Sequence, residues 1–138
     1  MMPAIKPDKH EVLNNKGSAL RKLGRYEDAI TVYDAALDMK PDKHEALNSK
    51  SVSLLQLGRY EDAITLYESL IKQTPKDVSP RYNRACGYAL SKQLDNALES
   101  LQQAITLDDT NQYIEMAQTD SDFENIRHEP KFIALLKP

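Results

Sequence analysis

The sequence predicts an all-α fold that consists of three helix-turn-helix units followed by capping helices. The segment LGRYEDAIT occurs at 23–31 and again at 57–65, with 34 residues from one start to the next. Apolar residues within each period follow the spacing of an amphipathic helix. Prolines at positions 7, 41 and 75 mark the starts of the units 7–40, 41–74 and 75–108, because proline interrupts a helix. Residues 1–8 are predicted to be a lead-in, with the helical units within 9–108.

The first unit predicts two antiparallel helices joined by a tight turn. Asp8 and Glu11 have the spacing of a capping pair for the first helix. Gly24 lies between the two halves of the unit, where glycine adopts a left-handed backbone without strain. The second half carries one apolar stripe at helical spacing, formed by Tyr26, Ala29, Ile30, Tyr33, Ala36 and Leu37.

The second unit repeats these signals, and the third has diverged from them. Asp42 and Glu45 form the second capping pair, and Gly58 takes the turn position. In the third unit Ser79 and Pro80 are expected to begin the helix. Lys92 replaces the turn glycine, which should cost up to about 1 kcal/mol if the same turn is kept. The apolar stripe persists there as Leu94, Ala97, Leu98, Leu101, Ala104 and Ile105.

The repeated units resemble the tetratricopeptide repeat family over residues 7–108. The resemblance rests on the 34-residue period, the closing prolines, the pattern Gly-x-Tyr-x-x-Ala at 24–29 and 58–63, and small residues at Gly17, Ser51 and Ala85. It implies a right-handed α-solenoid. Cations stand where the family commonly has leucine, and we expect them to lie over the apolar stripe with their charges in water; these are Lys16, Lys50 and Arg84.

Residues 109–138 leave the period and predict short capping helices. Ser121 and Glu124 have the spacing of a capping box, and Pro130 is placed to open a last helix. The segment 117–136 also resembles the closing segment of prokaryotic tetratricopeptide proteins. A solenoid needs such a cap because its last helix pair would otherwise expose an apolar side. The alternative is that Phe132 and Leu136 form a docking surface for another subunit.

The composition limits which classes of partner and which cellular compartment are expected. The chain of 138 residues has a net charge of -3, so no excess of positive charge attracts a nucleic acid or an anionic membrane. No stretch approaches the roughly 20 apolar residues that span a bilayer. The first residues lack the apolar run of a signal peptide. We therefore expect a cytoplasmic protein without nucleic-acid or membrane partners.

The sequence contains no motif for catalysis, a cofactor or a metal ion. Cys86 is the only cysteine, which excludes an intramolecular disulfide and a site built from several thiolates. We expect no histidine near Cys86 to activate it as a nucleophile. His10 and His44 are equivalent residues of successive units and lie too far apart to share a metal ion. The prediction is a protein that is not an enzyme and needs no cofactor.

The family resemblance implies a concave groove, lined by the first helix of each unit, that receives a peptide or a partner helix. Within it, Asn14, Asn48 and Asn83 can each donate and accept hydrogen bonds along a peptide backbone. Tyr82 is the candidate aromatic anchor. The predicted lining residues are Asn14, Asn15, Ser18, Arg21, Asn48, Val52, Leu55, Tyr82, Asn83 and Cys86.

The sequence fits one subfamily of this fold, the co-chaperone domains, poorly. Co-chaperone domains of this fold clamp a terminal carboxylate with cations on this face, whereas the matching places here hold Asn14, Ser18, Ser49, Ser79 and Asn83. The resemblance thus implies a non-catalytic protein-interaction module, an adaptor or assembly scaffold. The alternatives are a structural protein that self-assembles through its ends or tail, an RNA-binding helical repeat, which the net charge disfavours, and an enzyme that depends on Cys86.

Overall fold

A computed structural model describes residues 8–137, and within them the chain is helical without a strand. This confirms the all-α fold class. The helices of the three predicted units are α1 (Lys9–Lys22), α2 (Tyr26–Met39), α3 (His44–Gln56), α4 (Tyr60–Gln73), α5 (Ser79–Leu90) and α6 (Leu94–Leu107). The tail contains α7 (Gln112–Thr119), a 3₁₀ helix (Ser121–Ile126) and α8 (Pro130–Leu135).

The chain divides into two compact units, Met1–Gly58 and Arg59–Pro138, which we describe separately. The first unit holds α1, α2 and α3, and the second holds the remaining helices. Most of the predicted lead-in, residues 1–7, lies outside the described residues. The predicted boundaries between the repeats and the tail stay a prediction.

In the first unit, α2 packs against both α1 and α3. The predicted stripe supplies its core, because Ala29, Ile30, Tyr33 and Ala36 are buried. Gly17 of α1 lies directly against the Tyr33 ring, and a Cβ added to this glycine would be 2.5 Å from Cε1 of the tyrosine. The small residue thus allows the two helices to approach closely.

The turns follow the sequence prediction. Gly24 and Gly58 have φ angles of 79°, in the left-handed region that glycine favours. Lys92 has a φ of 63°, so the third repeat keeps the same turn and bears the strain of a side chain there. The ammonium of Lys50 makes an ion pair with Asp34 on α2 at 2.7 Å rather than lying free in water as expected.

The predicted capping pairs are wrong in detail. Asp8 precedes α1, but only its backbone carbonyl accepts hydrogen bonds from the first turn, and its side chain makes no capping bond. The residue before α3 is Lys43 rather than Asp42. Pro80 lies in the first turn of α5 as predicted, but the residue before this helix is Val78 and no side chain caps it, so the capping role expected of Ser79 is wrong as well. These helices therefore start without a side-chain capping bond, although Glu11 and Glu45 lie in the first turns of α1 and α3, where negative charge is favourable.

In the second unit, α4 and α6 both pack against α5. The core includes Ala85, Leu101 and Ala104, at the positions that the repeat predicts. Arg84 lies across this pair of helices and donates to Ser100 at 3.0 Å and to Gln103 at 2.8 Å. The expectation that the charge of Arg84 lies in water needs correction, because its guanidinium is hydrogen-bonded between the two helices, in part to the buried Ser100.

The tail folds back onto α5 and α6. Phe123, Ile126 and Phe132 are buried in the core of the second unit. The Arg127 guanidinium donates to the carbonyls of Ala117, Gln118 and Asp120, which fixes the bend between α7 and the 3₁₀ helix. The capping box predicted at Ser121 is replaced by Asp120, whose carboxylate accepts from the backbone N–H of Asp122 at 3.0 Å.

The alternative assignment of Phe132 and Leu136 to a docking surface needs correction. Phe132 is buried between the 3₁₀ helix and α6, with its ring 5.5 Å from that of Phe123. Leu136 is buried in the same cluster. The exposed apolar residue on α8 is Ile133, which is 46% exposed. Both residues named in the sequence analysis therefore stabilise the second unit itself.

The contact between Gly17 and Tyr33 gives a test of the packing. We expect Gly17→Ala to lower the free energy of unfolding, because overpacking a rigid core costs about 1–3 kcal/mol. The gain in helix propensity, about 1 kcal/mol, only partly offsets this cost. Chemical denaturation measures the change. Asn15→Ala, exposed on the same helix, is the control and should change stability by less than about 0.5 kcal/mol. Equal stability of both variants would contradict a close contact at Gly17.

The tail is anchored by a hydrogen bond that can be tested separately. The Tyr82 hydroxyl donates to Asp120 Oδ2 at 2.7 Å, and we expect Tyr82→Phe to cost about 1.5–3 kcal/mol because the acceptor is charged. Tyr88→Phe on the same helix removes a more exposed bond to Glu68 and should cost less than about 0.5 kcal/mol. Chemical denaturation and hydrogen exchange of the tail amides, measured for both variants, distinguish the two effects. Equal effects would mean that apolar packing alone holds the tail.

Candidate functional site

The candidate binding surface in the first unit is the face formed by α1 and α3, which contact each other. We define the α1–α3 face by six residues at equivalent positions of the two helices: Asn14, Ser18 and Arg21, and Asn48, Val52 and Leu55. These positions are spaced i, i+4 and i+7, so they lie along one side of each helix. All are wholly or partly buried, whereas Asn15, which was also predicted to line the groove, is exposed.

The α1–α3 face holds polar atoms without partners. Asn14 is 2% exposed, and its Oδ1 accepts no hydrogen bond. Asn48 Oδ1 and Arg21 Nε are likewise buried without a partner. Among the described residues one other buried side-chain atom shares this condition, the Tyr67 hydroxyl in the second unit. Such atoms are rare in native proteins, and each one calls for an explanation in terms of a missing partner or stored strain.

The neighbouring polar side chains of the first unit are paired. Arg25 makes an ion pair with Asp28 at 2.7 Å. The Ser18 hydroxyl lies 3.3 Å from that of Tyr33. Ser51 and Ser53 donate to backbone carbonyls one turn earlier in α3. The unsatisfied atoms are therefore a local property of the α1–α3 face rather than a general feature of this unit.

The second unit contributes α5, and its predicted groove residues are not all open. Tyr82 and Cys86 are each 2% exposed, because the tail covers them. The Tyr82 ring packs edge-on against Phe123 at 5.6 Å between centroids and against Tyr113 at 5.1 Å. The structure thus corrects the expectation that Tyr82 is an accessible anchor and that Cys86 lines an open groove. Asn83 stays partly exposed, with its amide 3.4 Å from the Ser79 hydroxyl.

Beneath the tail, Cys86 lies beside two carboxylates. Its Sγ, an oxygen of Asp120 and an oxygen of Asp122 lie within 4.8 Å of one another. Burial raises the pKa of the Cys86 thiol, and the charges of Asp120 and Asp122 raise it further. Burial, followed by the charge of Asp120, also raises the pKa of the Asp122 carboxyl. A thiol held protonated in this way is a poor nucleophile, which argues against a catalytic cysteine.

The tyrosines around Cys86 have similarly perturbed hydroxyls. Burial raises the pKa of Tyr82 far above its ordinary value, and the hydrogen bond to Asp120 adds to the effect. Burial, followed by the charges of Cys86 and Asp122, also raises the pKa of Tyr67. Both hydroxyls are therefore neutral donors. The sequence analysis does not predict this cluster. The one signal for it is the Asp-x-Asp-Phe order at 120–123, which by itself predicts only a capping segment.

None of the described helices has both the length and the apolar composition that a bilayer-spanning helix requires.

Comparison with solved structures supports the helix-pair architecture. A fragment of MamA from Desulfovibrio magneticus RS-1 is 29% identical, with a TM-score of 0.70, and the match covers 91% of this chain and 75% of that one. The Yersinia enterocolitica type III secretion chaperone SycD, in complex with a peptide of the translocator YopD, is 21% identical over 91% of this chain and 97% of that one, with a TM-score of 0.75.

A third match is the first repeat domain of Spaghetti (RPAP3) bound to the HSP90 peptide SRMEEVD. It is 18% identical over 79% of this chain and 86% of that one, with a TM-score of 0.71. No curated protein matches this sequence. Two family models do match, at residues 14–78 and 79–111, and both describe a tetratricopeptide repeat. These matches coincide with the 34-residue period, the helix pairs and the left-handed turns, so the chain belongs to the tetratricopeptide repeat family.

Proposed function

We propose that this chain is a non-catalytic protein-interaction module, an adaptor or assembly scaffold, that binds an extended segment of another protein on the α1–α3 face. The observation that carries the proposal is the clustering of unpaired buried polar atoms there: Asn14 Oδ1, Asn48 Oδ1 and Arg21 Nε. An unsatisfied buried polar group costs about 1–3 kcal/mol. These atoms are closed to solvent in the free chain, so the side chains must turn outward when a ligand binds. A ligand that then supplies the missing hydrogen bonds recovers part of this free energy, which favours binding at this face.

The kind of ligand follows from the chemistry of the two asparagines. Asn14 and Asn48 are equivalent residues, and a side-chain amide offers both a donor and an acceptor, as a peptide bond does. A helical ligand has already used its own backbone groups within the helix. An extended segment still offers free N–H and C=O groups. We therefore infer an extended ligand rather than a partner helix.

Arg21, Val52 and Leu55 add selectivity for side chains. Arginine binds carboxylates through charge-assisted hydrogen bonds, so an acidic residue of the ligand is the natural partner of the unpaired Arg21 nitrogen. Val52 and Leu55 are partly exposed and apolar, and they suit an aliphatic or aromatic side chain. The proposed ligand is thus an extended segment that contains both an apolar and an acidic residue. It is not a clamped terminal carboxylate, because the matching cations are absent from the sequence.

Two of the structural matches support a peptide ligand in general terms. The solved structure of SycD contains a peptide of YopD, and that of the Spaghetti domain contains an HSP90 peptide. Both proteins have helix-pair folds with TM-scores above 0.7 to this chain. The fold is therefore one that accommodates peptides, while the choice of the α1–α3 face here rests on the unpaired atoms alone.

The proposal predicts an uncommon combination for the double variant Asn14→Ala, Asn48→Ala. Peptide affinity should fall at least tenfold, because each lost hydrogen bond is worth about 0.5–1.5 kcal/mol and tenfold corresponds to about 1.4 kcal/mol. The unfolding temperature should change little, because removing two acceptors that have no partner offsets the packing that the substitution also removes. Asn96→Ala, exposed on α6, is the control and should change neither quantity.

The measurement begins with a library of random extended peptides selected on the immobilised chain. Dissociation constants of the enriched peptides for the wild type and both variants are then compared by fluorescence anisotropy. Arg21→Gln should weaken only those peptides that contain an acidic residue. Equal affinities for wild type and double variant would overturn the α1–α3 face as the site. No enriched peptide, together with a molar mass that rises with concentration, would favour the self-assembly alternative.

A further inference from the structure

We propose that Cys86, Asp120 and Asp122 form a binding site for one divalent transition-metal ion, of the zinc or cobalt class, between α5 and the start of the 3₁₀ helix. The site is independent of the proposed peptide-binding face, because all its residues belong to the second unit. The sequence predicts no metal site, since the two carboxylates follow the cysteine by 34 and 36 residues in a segment expected only to cap the fold.

The geometry brings one soft and two hard ligand atoms together. The Cys86 Sγ and one oxygen from each aspartate lie within 4.8 Å of one another, and Sγ is 4.0 Å from Asp120 Oδ2. Tetrahedral zinc with bonds of 2.0–2.3 Å places its ligand atoms roughly 3.5 Å apart. A contraction of about 1 Å therefore completes three ligand positions. Rotation of the Asp122 side chain would have to supply most of it, because both oxygens of Asp120 are held by hydrogen bonds to Tyr82 and to the Asp122 backbone.

The Tyr67 hydroxyl is the independent observation that points to a missing ligand. Tyr67 is 0% exposed, and its hydroxyl has no hydrogen-bond partner. It lies on α4, which packs against α5, and the charges that act on it most strongly are those of Cys86 and Asp122. The unpaired hydroxyl therefore belongs to the helix that packs directly against the helix carrying Cys86. A metal-bound water in the fourth position would give it the partner that it lacks.

The composition of the cluster also selects the class of ion. A thiolate beside carboxylates suits zinc and similar transition metals, whereas calcium and magnesium prefer oxygen ligands alone. The Tyr82 hydroxyl, 2.7 Å from Asp120 Oδ2, orients that carboxylate in the way that outer-shell partners orient metal ligands. The three ligands come from two separate elements, so the ion would fasten the tail to α5.

The test is titration of the reduced, metal-free full chain with Co²⁺, followed by competition with Zn²⁺. Binding at Cys86 should produce a thiolate-to-cobalt charge-transfer absorption that saturates at one ion per chain and disappears when zinc is added. The unfolding temperature should rise with either ion, because a ligand that binds only the folded chain stabilises it. No charge-transfer absorption under these conditions would overturn the proposal.

Three variants distinguish a metal site with several protein ligands from non-specific binding of cobalt to the cysteine thiol alone. Asp122→Asn retains the cysteine and nearly the same shape, and it should weaken cobalt binding by more than about tenfold, while Tyr67→Phe should weaken it by about tenfold as an outer-shell change. Cys86→Ser should abolish the absorption. Glu115→Gln, an exposed acid on α7, is the matched control and should have no effect. Circular dichroism verifies that each variant is folded, and affinity unchanged in Asp122→Asn would overturn the site.

Discussion

The close approach of paired helices, which requires a small residue where they meet, is the constraint on which the remaining structure depends. In the first unit, Gly17 lies against the Tyr33 ring with no space for a further carbon atom. In the second unit, Ala85 and Leu101 occupy the equivalent positions of their pair and are buried in one cluster. Because the helices pack this closely, the residues beside the small one, at positions such as Ser18 and Cys86, are drawn towards the interior of the helix pair.

Equivalent residues of different repeats nevertheless differ in what covers them. Asn14 and Tyr82 occupy the same position of their repeats, yet the first has an unpaired amide oxygen and the second is covered by the tail. The difference arises because the tail covers α5 in the last repeat. The last helix pair must cover an apolar surface, and the tail does so by placing Phe123 and Asp120 on α5. The first unit has no such segment on its α1–α3 face among the described residues.

Most of the fold could be predicted from local signals in the sequence, whereas contacts between distant residues could not. The glycine turns, the strained Lys92 and the start of α5 at Pro80 depend on the backbone preferences of one or two residues, so they could be predicted. The capping pairs were mispredicted because the repeats start their helices with backbone bonds alone. The burial of Tyr82 depends on Asp120, 38 residues later, and no repeat period encodes this contact. Unpaired atoms likewise appear only when the helices are assembled.

The two proposed sites share one physical argument. A domain is stable by only about 5–15 kcal/mol, and each buried polar atom without a partner costs about 1–3 kcal/mol. Unpaired atoms of this kind, found here on Asn14, Arg21, Asn48 and Tyr67, therefore weigh against the stability of the folded chain. Apolar replacements of similar size would avoid that cost if packing were the sole requirement. Three of these atoms lie on the α1–α3 face, and the fourth belongs to Tyr67 on α4, which packs against α5. This clustering is the reason for proposing a ligand at each place.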